Sequence, residues 1–306
     1  MRRIAGLAAI VGILAARLEG WQPNAVQLIN TGHFQEALSA FQADLAINPK
    51  SVAANNGAAV ALDLMGRYGE ARLYFSAAIK SARIPLERAL AERAMAIGYG
   101  FAGDCANAEK LERRAFDFYR ETNDFPNAGD VANELARLCL DAGDIDRATE
   151  WYLRGHDTGM EEPNISPPRS DLWDFRLAHA KARIAARRGK TADARKQMAK
   201  AKEILDRGRI PDQKQYFPYL EGYVAFYARD FTASMQALNR ASENDPFIVC
   251  LLAQTFEALG DRMRATEFYR RAAAATAHSV AAAYAQPFAR QKLATLSGDL
   301  QYRYQS

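Results

Sequence analysis

Four histidines, three cysteines and a few serines and acidic pairs are the residues of this chain whose types could do chemistry. His33, His156, His179 and His278 could serve as metal ligands or general bases. None has HExxH spacing and none has a second histidine one helical turn away, so a metal site is not expected. No CxxC and no Cys/His cluster with zinc spacing occurs, and three cysteines do not make a disulfide scaffold. Ser39, Ser76 and Ser234 lie inside helical patterns, where packing or capping is the expected role. Glu161 and Glu162 sit in a loop, where they are expected to be solvated. No GxSxG, P-loop or GxGxxG stands in a strand–helix context. These patterns point away from an enzyme, and no cofactor is expected.

Composition sets the next limits. The 306 residues are 49 % hydrophobic, 10 % aromatic and 25 % charged, as in a core-forming protein, and are enough for one solenoid or two ordinary domains. A net charge of +4 is too small to imply nucleic acid as a partner, and no Lys/Arg run interleaved with aromatics suggests one. At the amino terminus Met1-Arg2-Arg3 precedes thirteen uncharged residues of Ile, Ala, Leu, Val and Gly at 4–16. A basic start and a short apolar run are the shape of a secretory signal, and the run is short for a membrane span of about 20 residues. Ile13 and Leu14 are large for a cleavage site near Ala15 and Ala16, and no cysteine follows for lipoprotein processing. Residues 1–17 are therefore expected to be a signal peptide or a short anchor, the alternative being an apolar first helix. Export or envelope association (periplasmic or extracellular) follows from that expectation, with a cytoplasmic location as the alternative. Membrane contact is expected only if residues 1–17 remain as an anchor.

The elements that would position any site are helices. Residues 53–80 form two apolar-periodic runs hinged at Met65, Gly66, Arg67 and Tyr68. Ala71, Phe75 and Ala78 share one face of a helix, and small residues opposite large ones let two helices approach closely. Gly66 ends the first run, because glycine accepts the positive φ of a helix C-terminus at little cost. The unit resembles the tetratricopeptide repeat, a 34-residue helix–turn–helix. With Val52 at position 1, Ala59 falls at 8, Gly66 at 15, Tyr68 at 17, Ala71 at 20, Phe75 at 24 and Ala78 at 27.

The pattern recurs seven times, with repeats beginning near Leu18, Val52, Ala89, Gly129, Phe175 and Gln215 and a seventh around Ala253 to Ala272. Repeat three departs at position 24, where Glu112 replaces the aromatic. Residues 18–156 hold repeats one to four and residues 175–278 hold repeats five to seven. A Pro-rich loop is predicted over 157–174, and residues 279–306 give a capping helix, interrupted at Pro287, and a tail. The resemblance implies an all-α, right-handed superhelical solenoid of antiparallel helix pairs with a C-terminal capping helix.

The resemblance also implies that the first helix of each repeat lines a concave groove, mainly through positions 2, 5, 9 and 12. Repeat four then contributes Arg137, repeat five Arg176, His179 and Arg183, and repeat six Tyr216, Tyr219, Tyr223 and Phe226. Four aromatics beside a basic set have the composition of interaction hot spots, and arginine pairs bidentately with carboxylates. A protein or an extended peptide with apolar or aromatic and acidic residues is the implied partner, or else some of the tyrosines pack into neighbouring helices. The asparagine and basic positions with which some family members hold acidic C-termini carry Val26, Gly57, Leu90 and Ala94 here, so that clamp is not expected. Cys105 and Cys139 fall where the start of one repeat's second helix meets the end of the next repeat's first. They are expected either to form a disulfide, permitted if the chain is exported, or to pack as two small buried residues. The function implied is a non-catalytic scaffold binding a partner in the groove. The alternatives are a ligand- or peptide-sensing regulatory subunit and a bacterial envelope assembly factor.

Overall fold

The computed structural model describes residues 23–303. The signal or anchor expected at 1–17 lies outside them. Seven helical hairpins follow one another: α1 Pro23–Asn30 with α2 Phe34–Ile47, α3 Val52–Leu64 with α4 Tyr68–Ser81, and α5 Pro85–Phe101 with α6 Cys105–Glu121. Next come α7 Phe125–Ala142 with α8 Ile145–Met160, α9 Pro167–Arg187 with α10 Thr191–Asp206, α11 Phe217–Tyr227 with α12 Phe231–Leu238, and α13 Pro246–Ala258 with α14 Arg262–Ala273. The last helix is α15, Val280–Arg303. Among the described residues the fold is all-α.

The small-and-large pattern does the packing. Ala71, Phe75 and Ala78 of α4 are wholly buried, as is Phe41 of α2. Gly66 ends the turn before α4 with φ +82°, as the hinge requires. In repeat six the equivalent residue is Arg229, held at φ +63°. An aspartate caps the second helix of four hairpins. Asp104, Asp144, Asp230 and Asp261 accept backbone N–H bonds from Asn107, Arg147, Ala233 and Arg264 at 3.0–3.1 Å.

The stretch between repeats four and five is much shorter than the loop predicted over 157–174. Helix α8 continues to Met160, and Pro167 and Pro168 form the first turn of α9, where a missing N–H costs nothing. Only residues 161–166 lie between the two helices. The side chain of Trp173 from α9 spans the junction, 1 % exposed, with its ring over Gly159 of α8.

Helix α15 packs on α14 and α13, as a terminal element should, and runs on unbroken through Pro287. It also lies against α5 and α7, the first helices of repeats three and four. Ala282 and Ala283 belong to the core of repeats one to four, whereas Ala285 and Ala289 belong to the core of repeats five to seven. Just before α15, His278 hydrogen-bonds Asp63 of α3 at 3.0 Å, and from within it Arg290 donates to the Leu64 carbonyl at 2.6 Å. One helix thus ties the far end of the stack back to repeat two.

Candidate interaction site

Most of the residues expected to line the groove come together where α7, α9, α11 and α13 meet, with α8 behind them. The guanidinium of Arg137 (α7) lies flat over the Phe247 ring of α13 at 4.2 Å, and its Nε donates to Asp141, one turn on, at 2.7 Å. His179 of α9 packs between Phe175 and Tyr219, with ring centroids 5.8 Å and 5.6 Å away. Burial, with Arg183 and Arg137 close by, holds its imidazole well below the usual histidine range, so it adds no charge at neutral pH. Arg183 donates from Nη2 to the Tyr152 hydroxyl of α8 at 2.8 Å. Arg187, next along α9, donates to the Tyr227 hydroxyl at 3.2 Å and stands beside Tyr223.

The aromatic stripe of α11 is only partly exposed. Tyr219 is 7 % exposed and Tyr223 is fully buried, because Phe247 of α13 lies against both rings at 5.9 Å and 6.2 Å. Burial pushes the Tyr219 phenol up to about 12 and raises Tyr223 further. Tyr284 of α15 then packs at a tilt on Phe247, 5.2 Å away, and closes that end of the cluster. Of the expected lining, Tyr216 and Phe226 keep partly exposed surfaces, Phe226 edge-on to Tyr227 at 5.3 Å. Arg176 stands apart, paired with Asp130 at 2.7 Å over the Trp173 ring. The site is therefore a largely buried polar and aromatic cluster behind a partly exposed rim.

Cys105 and Cys139 are joined in a disulfide between α6 and α7, with Cα atoms 4.9 Å apart. Cys250 is free and buried, its thiol pushed up to about 12 by burial, which leaves it a poor nucleophile. His156 has both ring nitrogens engaged, by Asp157 at 2.9 Å and Asp174 at 3.0 Å, and so has none left to activate a nucleophile. Among the described residues no group of three or more metal-ligating side chains could hold an ion, and no helix is long and apolar enough to cross a membrane.

A second buried polar group lies in repeats three and four. Glu112, in the repeat's aromatic position, is fully buried with neither carboxyl oxygen hydrogen-bonded. Nearby, Arg93 pairs with Glu134 at 2.8 Å. Burial, reinforced by the Glu134 charge and opposed by Arg93, holds the Glu112 carboxyl well above the usual carboxylate range. A carboxyl whose pKa is higher folded than unfolded binds its proton more tightly in the folded state. Its stabilising contribution is complete below the unfolded value of about 4.3 and is lost as pH rises through the folded value. Glu112→Gln removes that titration. The variant should match the parent near pH 4 and exceed it in stability near pH 8, read from urea midpoints at both pH values. An equal pH dependence in both proteins would show that Glu112 ionises freely.

The comparisons agree with this architecture. The tetratricopeptide repeat family matches residues 25–85. A crystal structure of a tetratricopeptide repeat protein from Parabacteroides merdae superposes with a TM-score of 0.50 at 13 % identity, covering 81 % of this chain and 89 % of that one. The apo form of RapI superposes with a TM-score of 0.55, also at 13 % identity, over 89 % of this chain and 97 % of its own. At such identity the likeness concerns the fold. A comparison with curated proteins returns no match. Residues 25–85, which span the first two hairpins, match the tetratricopeptide repeat, and the seven successive hairpins have the helical-repeat fold of the solved tetratricopeptide-repeat structure.

Proposed function

We propose that the protein is a non-catalytic interaction scaffold that receives a partner protein or extended peptide on the concave lining of repeats four to six. The observation that carries this reading is the partly exposed rim of the cluster. Phe226 of α11 keeps partly exposed surface against Tyr227, whose hydroxyl accepts from Arg187, and Tyr216, just before α11, keeps partly exposed surface next to His179. Aromatic and arginine side chains on a rigid support are the usual composition of binding hot spots. Helix α15 lies against the first helices of repeats three and four, so it covers part of that lining, and a partner meets the rest of repeat four together with repeats five and six. The disulfide between Cys105 and Cys139 supports an oxidising compartment, in keeping with export through residues 1–17.

Phe226→Ala removes rim surface while leaving the buried rings in place. Quantitative affinity capture from the native source should recover the specific partner with the parent at least ~tenfold better than with the variant, at equal helicity and melting temperature. Equal capture by both proteins would place recognition on another surface.

A further inference from the structure

Arg183 is a buried cation without a counter-charge. The residue is 6 % exposed, yet among the described residues no carboxylate lies within ion-pair distance of it, and its one side-chain hydrogen bond is to the neutral Tyr152 hydroxyl. Its Nε and Nη1 have no hydrogen-bond partner in the chain. Other polar atoms of the same cluster are also unpaired: Nη2 of Arg137, the hydroxyls of Tyr219 and Tyr223, Nε2 of His179 and, as an acceptor, Oδ1 of Asp141. The arrangement is local, since the Arg137 guanidinium lies 5.9 Å from the Tyr219 ring and the His179 imidazole packs 5.6 Å from the same ring. Asp141 is bonded to Arg137, and Asp245 also acts on Arg137 from farther off, so Arg137, Arg183 and Arg187 face two carboxylates. A buried charge is costly unless it is paired, and a buried donor left without an acceptor carries the full desolvation penalty. A bound anion or trapped water would meet that cost.

We infer that Arg183, Arg137 and Tyr219 form a receptor for an oxyanion, a carboxylate or a phosphate, inside the concave lining of repeats four to six. The excess of positive charge favours an anion over water alone. Planar guanidinium groups and a phenol O–H match oxygen lone pairs, and neutral His179 can stand beside the bound group without repelling it. The oxyanion is either a free small acid or an acidic group carried by the docked partner. The second source rests on the scaffold reading above; the first does not.

Isothermal calorimetry on the full chain, at constant ionic strength set with sodium chloride, tests this with three probes: succinate, inorganic phosphate and a hexaglutamate peptide. Saturable binding of at least one is expected. Succinate or phosphate binding identifies a free small anion as the source, and binding of the peptide alone identifies an acidic group on the partner. Tyr219→Phe keeps the ring packing and removes only the unpaired hydroxyl, so it should melt no lower than the parent yet bind the active probe at least ~tenfold more weakly. Arg183→Met should abolish binding. No saturable binding of any probe, or equal binding by parent and Tyr219→Phe, would overturn the inference. Loss of partner capture in Phe226→Ala is a separate result, so either idea can fail without the other.

Discussion

Deletion of residues 280–306 is expected to turn one cooperative unfolding transition into two. The described part of the chain has two apolar cores, one mainly in repeats one to four and one mainly in repeats five to seven; α15 supplies side chains to both, as α9 does at their junction. Without it the Tyr284 and Phe288 rings leave Phe247 and Tyr269, and the small faces that accept Ala282, Ala283, Ala285 and Ala289 meet water. Arg290 no longer ties α15 to Leu64, and His278 loses the helix that anchors it against Asp63. Each large side chain returned to water costs about 1.5–3 kcal/mol, so the loss totals several kcal/mol. Solenoid stability is a sum of repeat and nearest-neighbour terms, and α15 is the contact here that joins distant repeats. Calorimetry should show a melting point lower by about 5–10 °C and a broadened or split endotherm. A single transition at the original temperature would mean that α15 is peripheral.

Trp173→Ala should be the most damaging single substitution at the junction between repeats four and five. The indole is nearly fully buried, and a Cβ added at Gly159 would overlap its ring, so no side chain in α8 is placed to fill the space left behind. Truncating a buried tryptophan costs about 3–5 kcal/mol, the transfer term plus the cavity. Arg176, stacked on the indole at 4.8 Å, loses its platform as well. Urea unfolding should show a midpoint reduced in proportion with an unchanged slope. A loss below about 1 kcal/mol would mean that the junction repacks. Gly159→Leu should be comparably harmful, because it forces the same ring out of its place.

The repeat packing was legible in the sequence because it is local. Ala71, Phe75 and Ala78 lie within two turns of one helix, and their spacing alone puts them on the buried face. The capping aspartates could have been read too. Asp104, Asp144 and Asp261 each follow the turn glycine directly, and that position holds the cap of the second helix. The burial of Tyr219 and Tyr223 could not. Position within a repeat marks them as groove-facing, but what covers them is Phe247 from the next repeat, backed by Tyr284 from α15. The reach of α15 was hidden for the same reason, since its bond from His278 to Asp63 joins residues 215 apart. Its alanine-rich composition marks a helix that packs closely without saying on what. Glu112 stood out as a break in the repeat, and only its neighbours show that the break is a buried carboxyl held above the usual carboxylate range.

Whether the concave lining of repeats five and six receives the partner is tested most directly by hydrogen–deuterium exchange on the full chain, with and without the captured partner. The account predicts slowed exchange in α9 and α11, centred on the rim at Tyr216 and Phe226, with α10 and α12 unchanged. Protection confined to the second helices α10 and α12, or no change in α9 and α11 at saturating partner, would contradict it.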